Sequence, residues 1–486
     1  MQHRFRIILH VLGMVITAFG LSMLAPLVLS WHLADSALLA YDEAVLITTG
    51  TGFLLWLATR GKRQELKSRD GILLVVLIWT LLPLFATFPL LIYLPDLSFT
   101  DAYFEAVSGL TATGATVLSG LDDLPGSINL WRTQLHWIGG MGVIVLVVAV
   151  LPMLGVGGRQ MFKAEIPTPM KETKLTPRMT ETAKGLWGVY VLLTGLLVAA
   201  YLLGGMDWLD AVMHAFSVMG QGGFSSHDAS LGHFDSLTLE LITMAFALIA
   251  GMNFATHFLA LRNLNFSPYR FDPEVRWFLS VLAFSCLMLA LYLWMRDYYL
   301  DFPTALRYAS FNTISVATSL GFATTDYNAW PYFAPLWMLF LGSFVACSGS
   351  TGGGIKMMRA ILLYKQVYRE LLRLIHPNAQ TPSKMGDGVV PNRVIYAVLA
   401  FLFIYVALIV VMTFLLTASG LDVFTAFSAV VATINNTGPG LGQVGPATTY
   451  AVLTDFQTWV CTFSMLLGRL ELFTLLVVLL PAFWRR

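Results

Sequence analysis

Four short polar runs interrupt an apolar chain, and each ends on a glycine: Thr111-Ala112-Thr113-Gly114, Gly220-Gln221-Gly222-Gly223, Thr318-Ser319-Leu320-Gly321 and Asn435-Asn436-Thr437-Gly438. The four terminal glycines stand 109, 98 and 117 residues apart. Only that glycine is common to all four, so any shared chemistry belongs to the backbone. Backbone carbonyls replace the hydration shell of a small cation without a fixed charge that would trap it. Aligning them needs unusual backbone angles, which glycine supplies without Cβ strain. Each run follows a short apolar segment, at about 99–111, 208–219, 302–318 and 421–434. These are too short to cross a bilayer and suit re-entrant helices. A helix that ends near mid-membrane aims its negative C-terminal end at the axis and favours a cation there. A single glycine run is more often a helix cap or a close-packing position between membrane helices. Four, in equivalent places and on one side, point to a ring.

The elements that must hold such a ring are membrane spans. The 486 residues are 57% hydrophobic and 12% charged, with a mean hydropathy of +0.72; soluble domains carry roughly 25% charged residues. A net charge of +1 gives no reason to expect nucleic acid. Cys286, Cys347 and Cys461 lie far apart in apolar segments and form neither a disulfide framework nor a metal pair. The basic residues before the first apolar run have no small-residue cleavage site after it, so this run reads as a retained span. Ten spans are expected, at about 7–29, 44–59, 72–94, 130–152, 184–205, 238–261, 275–296, 333–347 with a continuation to about 370, 393–417 and 456–483. The loops bearing Arg4, Lys62, Arg63, Arg159, Lys163, Lys171, Lys174, Arg262, Arg270, Lys365 and Arg373 lie on one side, whereas 95–128, 206–237 and 418–457 contain no Lys or Arg. The positive-inside rule then puts both termini in the cytoplasm and the glycine runs on the outer side. The expected architecture is an all-α polytopic membrane protein. Two extra helices (1–71) precede four tandem span–short helix–span repeats, at 72–158, 159–262, 263–374 and 375–486, in pseudo-fourfold arrangement around one pore.

Two further features stand inside spans. Ala346 to Lys356 reads ACSGSTGGGIK and holds Gly349, Ser350, Thr351, Gly352, Gly353 and Gly354. Such a stretch breaks a helix and is tolerated at membrane depth only where it lines a cavity or is buried in protein. It is not a phosphate-binding loop, because Gly354-Ile355-Lys356 lacks the Gly-Lys-Ser/Thr order and no strand precedes it. Arg469 lies mid-span, where arginine is costly and usually functional. The plain alternative is an ion pair with Glu471, although residues two apart on a helix point in different directions. Asn253 and His257 are expected either in the inner vestibule or, more commonly, in helix–helix hydrogen bonds; His136 and Trp137 are expected at the membrane interface. Asp122, Asp123, Asp228, Asp235 and Asp326 either attract cations to the outer mouth or are ordinary solvated loop residues. The Asn435-Asn436-Thr437 glycosylation pattern is read as a chance match.

With its fourfold repeat and the runs TATG, GQGG, TSLG and NNTG, the chain resembles the Trk/Ktr/HKT superfamily of cation transporters. The two N-terminal helices and the broken eighth span make it similar to the bacterial Trk-type potassium-uptake membrane subunit. The resemblance covers essentially the whole chain. It implies K⁺ as the transported ion, because a glycine at all four positions goes with potassium and a serine at the first goes with sodium. It implies that the broken third-repeat span, from Gly349 to Gly354 with Lys356, obstructs the pore below the filter, and that Arg469 faces the path there. It implies a homodimer in the lipid of a bacterial inner membrane, docked to a separate cytosolic ring that binds nucleotides. The inner loops at about 153–183 and 357–392 are too short to hold such a domain and are the expected docking surface, although positive-inside bias alone accounts for their charge. No organic cofactor is expected on this chain.

Two other classes have requirements of their own. A secondary transporter coupled to H⁺ or Na⁺ needs intramembrane carboxylates as carriers, and Glu471 is the one clear mid-span acid. A membrane-embedded enzyme needs acids, histidines or a nucleophile clustered at one depth, and no such cluster is visible.

Overall fold

Residues 2–60, 67–149, 175–378, 382–385 and 388–485 are described in a computed structural model. The inner-loop residues Lys62, Arg63, Arg159, Lys163, Lys171 and Lys174, and the boundary between the first two repeats, lie outside them. Apart from a two-residue hairpin pairing Lys384–Met385 with Gly388–Val389, the regular structure is helical. Helices occupy each of the ten expected spans as far as these are described. Six helices among the described residues are long and apolar enough to cross a membrane, or eight when each sharply bent pair counts as one span.

The N-terminal pair packs closely because small residues face each other. Helix Gln2–Ser22 lies on Leu38–Ala58, and a Cβ on Gly52 would stand 2.6 Å from Thr17 Oγ1. Such approach is how membrane helices associate where apolar burial gives little drive. The repeats follow. The first has Ser68–Ala86 running into Phe88–Tyr93, then short helix Phe99–Leu110 and span Gly126–Ala149. The second has Leu175–Leu203, Trp208–Gly220, and Leu237–Ala250 with Phe254–Asn263. The third has Pro273–Met295, Phe302–Ala317, and Phe333–Gly342 with Met357–Ile375. The fourth has Asn392–Ala418, Val423–Ile434, and Asp455–Arg469 with Phe473–Leu479.

All four short helices begin and end alike. Ser98, Asp207, Asp301 and Asp422 cap them, each side chain accepting a first-turn N–H; such a cap contributes about 1 kcal/mol. At the other end Ala112, Gln221, Ser319 and Asn436 turn left-handed, with φ of 48°, 56°, 66° and 51°. Their N–H groups bond the third carbonyl back, and the next N–H bonds the fifth, as in Thr113 to Ser108 at 2.8 Å and Leu320 to Ser315 at 2.8 Å. This is the Schellman closure, which satisfies carbonyls at the helix end. The third helix has 16 residues against 12, 13 and 12 in the others. One extra turn accounts for the offset of the third repeat in the sequence.

Two spans differ from expectation. The stretches 238–261 and 456–483 read as straight but are broken. The first bends by 95° at Gly251–Asn253 and the second by 115° at Leu470–Leu472. Asn253 Oδ1 accepts from Ala255 N–H at 2.9 Å and restarts the helix. Glu471 and Leu472 both take φ of +52°. Hydropathy averaged over a span registers neither change, because each break holds one polar residue, Asn253 or Glu471, among apolar neighbours.

Candidate functional site

The four glycine loops close on one another. Gly114, Gly223, Gly321 and Gly438 have φ between 79° and 91°. A Cβ on Gly321 would stand 2.5 Å from the Thr437 carbonyl oxygen, and one on Gly438 would stand 2.6 Å from that of Thr113. The nearest atom to the same position on Gly114 is the Gly222 oxygen, and on Gly223 the Leu320 oxygen. The chain of contacts 114–222, 223–320, 321–437 and 438–113 is therefore a closed ring. Each glycine leaves room for the carbonyl that precedes the next glycine. Thr111, Ala112, Thr113, Gln221, Thr318, Ser319, Leu320, Asn435, Asn436 and Thr437 are all buried within it. Side chains brace it from behind: Asn436 Nδ2 donates to Thr113 Oγ1 at 2.9 Å, across repeats, and Asn435 accepts from Tyr405 Oη at 2.8 Å.

The third-repeat break lies against this ring. A Cβ on Gly352 would stand 2.7 Å from Thr318 O, and the Asn435 oxygen is the nearest atom to one on Gly353. Thr351 Oγ1 donates to Met219 O at 3.0 Å. The tip thus touches the loops of repeats two, three and four. Gly349 packs on Asn253, where a Cβ would stand 2.7 Å from Oδ1, and Phe254 N–H donates to its carbonyl at 3.1 Å. Lys356 does not project into open space. It is buried, takes φ of +76°, and its Nζ donates to Gly352 O and lies 3.5 Å from Ser350 Oγ, which ties the loop to itself.

Arg469 reaches this loop from the fourth repeat. Its Nη1 donates to Thr351 O at 2.8 Å, while Nε and Nη2 are buried without a hydrogen-bond partner among the described residues. The alternative pair with Glu471 does not form: Glu471 bonds Arg359 Nη2 at 2.6 Å. His257 bonds Tyr269 Oη and the Ile249 carbonyl, each at 2.8 Å, the commoner of the two readings given above.

Other side chains were misread or missed. His136 is fully buried rather than interfacial; its ring stacks on Phe224 at 4.2 Å and accepts from Phe224 N–H at 3.3 Å, directly behind the second loop. Trp137, half-buried, donates to Thr194 Oγ1 at 3.1 Å. Arg132 went unnoticed although it stands in a span and the rule applied to Arg469 covers it. It pairs with Glu105 at 2.9 Å, with both side chains 1% exposed. Arg132 Nη1 also donates to Ser225 O at 3.1 Å, and Glu105 accepts from Thr116 Oγ1 and Val117 N–H at 3.0 Å. The pair therefore clamps the outgoing strands of loops one and two. Glu471 is also not the one acid at depth, since Glu105, Glu240 and Glu274 are buried. Glu240 is paired with Arg307 at 2.7 Å, and Glu274 accepts from Ser348 N–H at 3.0 Å.

The outer aspartates mostly tie loops together. Asp228 accepts from Leu121 N–H, Asp235 pairs with Arg307, and Asp326 caps a short turn at Tyr327–Ala329. Asp122 bonds His227 Nδ1, whose Nε2 lies 3.2 Å from Asp210. Burial lowers the His227 pKa, but its bonds to Asp210 and Asp122 outweigh this and hold it above the ordinary histidine value.

Comparison with known proteins matches residues 42–485 to the TrkH family, described as cation transport proteins. "Trk system potassium uptake protein TrkH" of Halomonas elongata is 46% identical over 485 residues, covering 99% of both chains. The protein of the same name from Escherichia coli K12 is 43% identical over 482 residues, again with 99% of each covered. The crystal structure of the potassium transporter TrkH from Vibrio parahaemolyticus superposes with a TM-score of 0.92 at 43% identity, covering 99% of this chain and all of that one.

Proposed function

The chain belongs to the TrkH family of cation transport proteins, and we propose that it takes up potassium across a bacterial cytoplasmic membrane through one pore, with the glycine loops as its filter. The observation that carries this reading is the closed ring, in which each left-handed glycine abuts the carbonyl of its neighbour. Backbone oxygens held this way replace water around an ion at a depth where a bare ion is prohibitively costly. The short helices point their C-terminal ends at the same place. With the membrane potential as driving force, about 2.3 kcal/mol is available per charge per 100 mV. The loop from Gly349 to Gly354 acts as the gate, since it lies against three of the four filter loops from within. Arg469 holds that loop by one bond and sets a positive charge in the path of an incoming cation while the loop is in place. The buried acids are bonded to arginines or to backbone N–H, which does not favour the reading as an H⁺- or Na⁺-coupled carrier of another solute.

On the cytoplasmic side we infer a homodimer and a nucleotide-binding regulatory ring as partners. Helix Met357–Ile375 runs directly from the gate and exposes Tyr364, Tyr368, Leu371 and Ile375 beside Lys365 and Arg373. Such a helix offers an apolar and basic surface from which a partner can pull on the loop.

Purified protein in liposomes, with ⁸⁶Rb⁺ and ²²Na⁺ flux measured with and without the cytosolic partner, tests the proposal. Flux of Rb⁺ above Na⁺ is expected, with Gly114→Ser shifting the ratio toward Na⁺ and deletion of Gly352–Gly354 raising both. Flux of neither ion under any condition would sink it.

A further inference from the structure

Beyond the first two glycine loops, three side chains from two repeats converge. Asp122 lies in the short turn Leu121–Asp123 after the first glycine loop, and His227 and His233 lie in the loop after the second. One ligand-capable atom from each falls within 4.8 Å of the other two. Asp122 Oδ1 contacts Nδ1 of both histidines, at 3.8 Å in the case of His233. The two imidazole rings lie parallel, 3.6 Å between centroids and 5° between planes. The far nitrogen of His227 is taken by Asp210 at 3.2 Å.

This arrangement has a specific chemical meaning. A carboxylate that accepts the Nε2–H of an imidazole fixes its tautomer and turns the Nδ1 lone pair outward, the usual orientation of a metal-bound histidine. In the metal-free protein His227 Nδ1 hydrogen-bonds Asp122, and a bound cation takes the place of that proton, which is released as the ring and the carboxylate move apart to admit the ion. The second stacked ring supplies another nitrogen to the same place. Two imidazoles and one carboxylate suit Zn²⁺ and neighbouring first-row ions, and do not suit Ca²⁺ or Mg²⁺, which take oxygen ligands. Three protein ligands leave a position for water, and the exposure of Asp122 and His233 leaves the group open to the outside. The bland reading is a hydrogen-bonded loop junction. It accounts for the Asp122–His227 bond but not for His233 stacking with its Nδ1 toward the same oxygen.

We propose that Asp122, His227 and His233 form an outward-facing site for a divalent transition metal of the Zn²⁺ class, which links the outer loops of the first two repeats. Asp210 is a positioning residue there, acting through His227.

The test uses full-length purified protein with any affinity tag removed, stripped with a chelator and titrated with Zn²⁺ in competition with a fluorescent zinc indicator. Wild type is expected to bind one Zn²⁺ per chain. His233→Ala and Asp122→Asn should weaken that binding by more than the ~10-fold lost with an outer positioning partner, and Asp210→Asn by about that amount. His32→Ala, an exposed histidine elsewhere, should leave it unchanged, and millimolar Ca²⁺ or Mg²⁺ should not compete. His233 is half-exposed, so its variant should retain the metal-free unfolding temperature of wild type and report on binding alone. No bound zinc in wild type, or equal affinity in wild type, His233→Ala and Asp122→Asn, would overturn the proposal. Competition by Ca²⁺ as effective as by Zn²⁺ would overturn the assigned metal class.

Discussion

The glycine ring and the layer directly beneath it are built on opposite principles. In the ring four sequences sharing one residue adopt one backbone: a left-handed residue closing the short helix, and a left-handed glycine two positions later. In the layer beneath, four repeats with the same span order diverge. The second repeat bends at Gly251–Asn253, the third opens into a loop from Ser343 to Lys356, and the fourth bends at Leu470–Leu472. Ring contacts are backbone to backbone and repeat four times. Contacts below are not repeated: single side chains, such as Arg469 to Thr351 and Arg359 to Glu471, stand beside one-off backbone bonds such as Phe254 N–H to Gly349 O. Under the proposed function this contrast has a reason: a filter that presents equal oxygens to one ion is held by what all repeats share, and a gate that moves can use what only one repeat has.

The largest effect should come from breaking the ring's scaffold. Glu105 and Arg132 are buried together, and removing one partner of such a pair typically costs about 3–5 kcal/mol by stranding the other charge. Glu105→Ala should therefore lower the unfolding temperature of the purified protein sharply and abolish flux. Adding Arg132→Met should recover much of the stability. A single variant as stable as wild type would mean that the pair does not hold the loops.

Next comes the ring itself. Gly438→Ala places a side chain in a left-handed backbone, which costs on the order of 1–3 kcal/mol, and drives a methyl group toward Thr113 O. Rb⁺ flux should fall at least about tenfold, the equivalent of 1.4 kcal/mol. Gly188→Ala, with nothing within 4 Å of the added carbon, should leave flux unchanged. Equal loss in both would remove the distinction between ring glycines and ordinary span glycines.

In the layer beneath, a single side chain should matter with the opposite sign. Arg469→Gln removes a charge whose Nε and Nη2 have no partner, so stability should change little. Flux without the cytosolic partner should rise several-fold, an effect on the order of 1 kcal/mol. Unchanged or reduced flux in a folded variant would count against Arg469 as part of a barrier.

The contrast also explains what could be read from the chain alone. The ring was legible because a backbone requirement leaves a periodic residue, here a glycine at equivalent places, and because hydropathy marks the helices before it. The longer third helix was legible in principle: Asp301 caps it 20 residues before Gly321, against 16 for Ser98, Asp207 and Asp422 in their repeats. The layer beneath was legible only at the third repeat, where three consecutive glycines announce the break. At Glu471 and Leu472 the left-handed turn is made by residues that give no such sign. Arg132 and Glu105 are 27 positions apart on different helices, so their pairing exists only once the helices pack. His136 looked interfacial because it stands near the outer end of its expected span, and only packing shows that the ring fills the space beside Gly222.

The smallest effect separates repeats within the ring. Ser217 and Ser315 stand six residues before their glycines, and their hydroxyls donate to Phe224 O and to Phe322 O, the latter at 2.6 Å. Ser108 occupies the same place in the first repeat, yet its hydroxyl is buried without a partner. The fourth repeat has Ala432 there and bonds its outgoing strand from Ser428 instead, to Leu441 O at 3.1 Å. A hydrogen bond of this kind contributes about 0.5–1.5 kcal/mol net, while a buried hydroxyl with no partner contributes none and is costly to keep. Ser315→Ala should thus destabilise the protein by about 1 kcal/mol and loosen the third loop, seen as a lower Rb⁺/Na⁺ flux ratio. Ser108→Ala should be neutral or slightly stabilising, with the ratio intact. If the two substitutions act alike, the hydroxyl bond to the outgoing strand does not distinguish the third loop from the first, and the ring is more symmetric than its side chains suggest.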